Sequence, residues 1–424
     1  MSFFFITCSL FWSINTWNLY RPPNSKAVIG LVSFVCGLLA GELAVFLIPW
    51  QIFLACLLIN SGAITGFWTT FALLAWSIAG FAQLIYLINS SLSAQPLRQA
   101  LDSHTIPYLS SLEIDSQRQE FWPRVLKPFS IGLKEVHCEK NVTYGEADGE
   151  TLKLDIYQAK SHRHDPSASP APVLMYIHGG GLLEYGGTKT SQGLPLLNEL
   201  ARRGWVCVSI DYRLSPSHKW PAHLIDCKSA LQWIKDTISD YGGNPEFVVT
   251  AGDSAGGLLS TLMAVTANDP RYQAEHPDLD SRIQGAISFY GVMDFCNSFG
   301  QSHNHELSDY WDTHVFDAGT DDASRQSKFE SANAISAVQN QENPASIPDC
   351  VIIHGDRDSL VAVGESRLLA DKLQQVSENK VIYSHIPGAQ HAYNIFRSIR
   401  SELVLNELMR LAIFFEEKHL SEKR

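Results

Sequence analysis

One stretch of this chain limits its fold before any motif is read. From Ala27 to Ile88 the residues are almost wholly apolar, and Glu42 is the only charge. Roughly sixty such residues suffice for two or three bilayer crossings of about 20 residues each. Pro49, Asn60-Ser61-Gly62 and Thr65-Gly66 mark where helices should end. The pattern predicts spans near 27–48 and 68–90, with 50–65 as a short third span or a re-entrant piece. A buried helix pair in a soluble protein is the competing reading. It is weaker, because core helices rarely stay apolar on every side. Trp50, Trp68 and Trp76 suit interfacial or lipid-facing positions. Met1 to Tyr20 is apolar and aromatic but lacks the basic start of a signal peptide, so an interfacial helix and a further span are both open. Arg21, Lys26 and Arg98 give the positive-inside rule little asymmetry, which leaves orientation open.

The rest of the 424 residues reads as a globular unit. Charged residues make up 18% of the whole, below the usual quarter, because the apolar start dilutes them. A net charge of −12 with no long basic run argues against nucleic acid as a partner and against polybasic attachment to anionic lipid. The eight cysteines have no C-x-x-C pair and no metal-ligand spacing, so they read as small buried hydrophobes. Four regions follow: an apolar or interfacial piece at 1–26, transmembrane helices at 27–90, a connector at 91–128 that could add to a cap, and a catalytic unit at 129–424.

Within that unit, Thr151 to Tyr157 alternates as a half-exposed strand does. Short continuous apolar runs follow at 173–177, 206–210, 247–249, 286–289 and 350–353, as in strands covered on both faces. Helical segments separate them near 189–203, 221–238, 255–266, 364–376 and 399–417. Strands alternating with helices predict an α/β fold, a mostly parallel central sheet with helices on both faces. The polar stretch 293–348 is too long for a plain loop and reads as a helical cap insertion.

Gly252-Asp253-Ser254-Ala255-Gly256 follows one such strand and opens a helix, the context a nucleophile elbow requires. The bland alternative for Ser254 is a helix N-cap. His178-Gly179-Gly180-Gly181 follows the strand ending at Ile177. Its glycines allow N–H groups to face a cavity, and Gly180, Gly181 and Ala255 are the expected oxyanion donors. The order serine, acid, histidine then points downstream. Asp356 and Asp358 compete just beyond the strand at 350–353, and Asp358, directly before Ser-Leu-Val, has the better spacing. His391 lies in the loop after the strand at 381–386. Leu182, Leu183, Tyr310, Trp311 and Phe316 are candidate pocket walls. Asp211, Arg213 and Asp226 read as structural anchors. His303, His305 and His314 lack a framing carboxylate or cysteine, so no metal is expected.

Taken together, H-G-G-G at 178–181, D-Y-R-L-S-P at 211–216, W-P-A-H-L-I-D at 220–226, G-D-S-A-G-G at 252–257, H-G-D-R-D-S-L-V at 354–361 and G-A-Q-H at 388–391 resemble the hormone-sensitive-lipase-like esterases of the α/β-hydrolase fold. The resemblance covers roughly residues 135–417. Asn15 to Pro22 and the apolar segment are similar to a bacterial branch with a membrane segment ahead of the hydrolase. The resemblance implies hydrolysis of short- to medium-chain acyl esters without a cofactor, on a small-molecule or lipid ester. One departure stands out: Leu182 and Leu183 follow the glycines where many relatives carry a bulky aromatic. A peptidase or amidase on the same fold is the nearest alternative, and a non-catalytic ligand-binding member is another. A separate transport or partner role for the apolar segment is a third, and it rests on Glu42. Oligomeric state is not written in the sequence.

Overall fold

The computed structural model describes residues 1–23, 27–104, 115–161, 169–295, 297–301, 310–316 and 322–422. Lys26, His162, His164, Cys296, His303 and His305 lie outside the described residues.

Four apolar helices come first: α1 (Ser2–Tyr20), α2 (Ala27–Glu42), α3 (Ala44–Asn60) and α4 (Phe67–Ser90). α1 lies along α4 in parallel. Ser9 Oγ donates to Ala72 O and Tyr20 Oη to Ala82 O, each at 2.6 Å, and Phe5 stacks on Trp76 with ring centroids 5.4 Å apart. The outer flanks of these helices leave Phe11, Leu31, Trp50, Phe71 and Phe81 exposed. By length and apolarity one described helix could cross a bilayer, the run Phe67–His104 that contains α4. Val28–Glu42 and Ala44–Asn60 reach that measure only as a pair, and they are bent by 87°. The helix expected near 27–48 is therefore interrupted after Glu42 and continues, bent, in α3. α2 ends at Glu42, whose carboxylate is paired far along the chain with Arg400. Pro49, expected to end a helix, sits inside α3 and costs it one backbone hydrogen bond. The stop at Asn60 falls where the sequence put it, and Gly62 takes the left-handed turn there.

α5 (Gln95–His104) and α6 (Asp115–Val125) lead into the sheet. Leu97 and Leu101 of α5 are buried in the core, and Arg98 pairs with Glu407 at 2.6 Å. α5 packs beside the last strand.

Among the described residues eight strands make one sheet: β1 (Val136–Ala147), β2 (Glu150–Ala159), β3 (Ala171–Ile177), β4 (Val206–Ile210), β5 (Gly243–Asp253), β6 (Gly285–Phe289), β7 (Asp349–Gly355) and β8 (Val381–Ile386). Their order is β1-β2-β4-β3-β5-β6-β7-β8. β1 and β2 are antiparallel to their neighbours, and the other pairs are parallel. The two faces are covered by separate cores, as the period of two demands. Val173, Met175 and Ile177 of β3 face one, packed with α8 (Ala222–Thr237) and α9 (Ala255–Val265). Leu174 and Tyr176 face the other, with α7 (Leu194–Arg202) and the last helix of the chain. α10 (Asp322–Ser331) and α11 (Ala334–Gln339) belong to the insertion after β6, and α12 (Val363–Val376) and α13 (Ile399–Glu422) complete the layers. Cys207, Cys227 and Cys350 are buried as expected. Cys8, Cys36 and Cys138 are half-buried and Cys56 is exposed, because their helices or strand turn one side outward.

Candidate active site

β5 ends at Asp253 and α9 begins at Ala255, so a single residue makes the turn. Ser254 takes φ 55°, ψ −118°, a conformation an L-residue holds only when its surroundings impose it. The crossing is tight: a Cβ on Gly256 would lie 2.0 Å from Ile177 O. The turn is pinned by Ser254 N donating to Phe289 O at 2.9 Å. Oγ is thereby presented at the positive end of α9, at the carboxyl ends of the parallel strands.

His391 lies in the loop between β8 and α13. Its Nε2 is 3.0 Å from Ser254 Oγ, and its Nδ1 is 2.6 Å from Asp358 Oδ2. Asp358 sits in the loop between β7 and α12. Its other oxygen accepts the N–H groups of Leu360 and Val361 at 2.9 and 2.8 Å. Burial pushes the Asp358 carboxyl up. The imidazole of His391 and the hydrogen bonds of His354 and His391 more than offset that, and hold it well below the usual carboxylate range. Asp356 is turned elsewhere, accepting Gly388 N at 2.7 Å.

The loop after β3 faces the same point. Gly180 (φ 115°) lies against Gly186, and a Cβ on Gly180 would meet Gly186 C at 2.3 Å. Among the described residues the N–H groups of Gly180, Gly181 and Ala255 are not spent on loop or turn backbone hydrogen bonds. Trp311 brings its Nε1 within 3.5 Å of where a Gly181 Cβ would stand, so the insertion after β6 reaches this loop. Tyr310 is half exposed and stacked on His314 at 4.1 Å. Phe316 is fully buried beside Trp220 and Phe295. Leu182 departs from the expected pocket wall. It is fully buried at φ 65°, because its carbonyl accepts Ser215 N and its side chain joins the sheet core. Leu183 is only partly buried against that core.

Arg213 and Asp226 form a buried pair at 2.7 Å, and Asp211 takes the N–H of Lys189 at 2.8 Å. Both contacts brace loops. No group of three or more His, Cys, Asp or Glu side chains that could hold an ion occurs among the described residues.

Four neighbours of the site escaped the sequence reading. His354 Nε2 lies 3.2 Å from Asp358 Oδ2 and 3.1 Å from Val361 O. Gln390 Oε1 accepts both Ser359 N at 2.7 Å and His391 N at 2.9 Å, tying the acid loop to the histidine loop. Tyr290 packs on the His391 ring at 4.6 Å. Phe34 of α2 meets the same ring edge-on at 5.8 Å. His354 and Gln390 stand inside the H-G-D-R-D and G-A-Q-H motifs, so their positions were signalled. Nothing local in the sequence signals Phe34.

A family model described as BD-FAE matches residues 154–373. The probable carboxylic ester hydrolase LipM of Mycobacterium tuberculosis is 34% identical over 396 residues, 91% of this chain and 87% of the relative. That alignment is too long for the residues after 128 alone, so it takes in part of the N-terminal helices. The esterase LipC of the same organism is 33% identical over 66% of each chain. Among solved structures, esterase B of Lactobacillus rhamnosis, inhibited by a tributyrin phosphonate, superposes with a TM-score of 0.55 at 18% identity. It covers 73% of this chain and 95% of its own. That likeness is one of fold.

Proposed function

Since the chain belongs to the hormone-sensitive-lipase-like esterases of the α/β-hydrolase fold and is a carboxylic ester hydrolase, we propose that Ser254, His391 and Asp358 carry its reaction as a catalytic triad. The observation that carries this reading is the unbroken relay from Ser254 Oγ through His391 to Asp358, at 3.0 and 2.6 Å. His391 Nε2 accepts the Ser254 proton as Oγ attacks the ester carbonyl carbon. The carbonyl π electrons move to oxygen, and the resulting oxyanion is held by the N–H groups of Gly180, Gly181 and Ala255. Asp358 fixes the histidine tautomer and stabilises the imidazolium. The tetrahedral adduct collapses, the C–O bond to the alcohol breaks, and His391 returns the proton to the leaving oxygen. Water, activated by the same imidazole, then releases the acid from Ser254.

The N-terminal helices are membrane anchors in this reading. The exposed apolar flanks of α1 to α4 support it, together with the bilayer-spanning length of the run containing α4. The ester is then a small or lipid-derived molecule met at the membrane.

The test is hydrolysis of a short-chain ester by purified protein. Ser254→Ala and His391→Ala are each expected to lower kcat by at least about 10³-fold, and the double variant by little more, because the two act as one unit. Wild-type turnover by Ser254→Ala, free of host esterases, would overturn the assignment.

A further inference from the structure

The apolar segment does not merely precede the hydrolase; it is packed onto the loops that carry the acid and the histidine. Glu42, its one charge, is buried to 5% exposure and forms an ion pair with Arg400, which is 1% exposed. Ser398 Oγ donates to the second Glu42 oxygen at 2.5 Å. Ser398 and Arg400 stand at the start of α13, seven and nine positions after His391. The Arg400 guanidinium lies over the Tyr86 ring of α4 at 5.2 Å, and Tyr86 Oη donates to Gly388 O in the histidine loop. On α2, Gly30 O accepts from Ser359 Oγ at 3.1 Å, beside the triad acid. Gly37 is also on α2, and a Cβ there would lie 3.2 Å from Gln390 Nε2, the side chain that links the two loops. Phe34 closes the set against the imidazole itself.

We propose that Glu42 is a positioning residue, and that α2 and α4 complete the active site by clamping the His391 loop. The physical reason is the cost of leaving either charge alone. A buried carboxylate without its guanidinium, or the reverse, is strongly unfavourable, so the pair fixes where α2 ends and where α13 begins. His391 hangs between these fixed points and β8. A small displacement of the imidazole lengthens its contact with Ser254 Oγ, and such displacements cost rate far more than binding. The pair lies at the bend between α2 and α3. It also supplies a use for a carboxylate in an apolar stretch other than transport. This inference rests on the triad reading.

The experiment uses full-length protein in detergent, a water-soluble short-chain ester, and the rate of Ser254 labelling by a fluorophosphonate. Glu42→Gln is expected to lower kcat and the labelling rate by about tenfold or more, with KM within about twofold, because the ester pocket itself is untouched. Glu42→Asp, which keeps the charge, recovers most of that loss. Phe34→Leu leaves the ion pair in place and is expected to lower kcat by about threefold at unchanged KM. It carries the test by itself if Glu42→Gln does not reach the membrane fraction. Wild-type kcat in a folded Glu42→Gln, or in Phe34→Leu where that variant carries the test, overturns the proposal. So does a loss that Glu42→Asp fails to recover and that follows thermal stability. Ser254→Ala measured alongside separates the two readings: if it stays active, the triad assignment fails rather than the clamp.

Discussion

At the scale of single residues, the proposed triad requires one carboxylate that is ionised and in contact with the histidine. Two aspartates stand two positions apart, and only Asp358 reaches the imidazole, while Asp356 caps the backbone at Gly388. Asp358→Asn is therefore expected to lower kcat by roughly 10³–10⁴-fold through the wrong histidine tautomer. Asp356→Asn loosens one loop hydrogen bond and should cost less than about tenfold. Steady-state kinetics on one ester rank the two, and the reverse ranking would move the role to Asp356. The pH sign follows from the lowered pKa of Asp358. Its ionised form is favoured by folding, so that contribution is present above the ordinary carboxylate pKa and lost only as pH falls through the lowered value. The motifs singled out Ser254, His391 and Asp358 because each lies in a short, ordered string beside a strand end, and the structure brings the three side chains within hydrogen-bond reach. His354 was in view as a letter but not as a partner, since its contact with Asp358 depends on how the loop after β7 folds back.

At the scale of elements, the parallel strands were legible and β1 was not. The central strands are short unbroken apolar runs because helices cover both faces. β1 is an edge strand with irregular register between Glu139 and Val142 and between Thr143 and Gly145, and most of it is partly exposed. Its residues therefore show neither alternation nor an apolar run. The placement of Leu182 is hidden for a related reason: nothing in His178 to Leu183 signals that the chain turns through φ 65° and buries the side chain in the core. α12 carries a further consequence. Glu365 accepts Met293 N at 2.9 Å and Asp294 N at 3.1 Å, anchoring the start of the insertion after β6. Burial, with the charge of Asp294, raises its carboxyl from the ordinary 4.5 to about 8. A raised carboxylate holds its proton in the native state while the unfolded chain has lost it. The native state then binds more protons, and stability falls as pH rises from 4.5 towards about 8. Glu365→Gln should flatten that decline. Denaturant midpoints of both proteins at either end of the window check it, and an equal slope in the two would contradict it.

At the scale of the whole molecule, the sequence separated an apolar start from a hydrolase, and the structure shows how closely the two are joined. The partner of Glu42 lies 358 positions away, a distance no local pattern can bridge. The bend of 87° between α2 and α3 follows Glu42 directly, and nothing local in the sequence marks it. In the proposed anchor reading, lipid covers the exposed aromatic and aliphatic side chains on α1 to α4, and burying a large side chain is worth about 1.5–3 kcal/mol. Full-length protein is accordingly expected to sediment with membranes and to resist carbonate and high salt. Recovery in the soluble fraction would show instead that these helices are covered by protein.

Acyl transfer through Ser254 can be read out by treating purified full-length protein with a fluorophosphonate and locating the adduct by peptide mass spectrometry. One stoichiometric adduct on Ser254 is expected, with loss of ester hydrolysis in step with its formation and no adduct in Ser254→Ala. An adduct on another residue, or full hydrolysis with Ser254 modified, would contradict it.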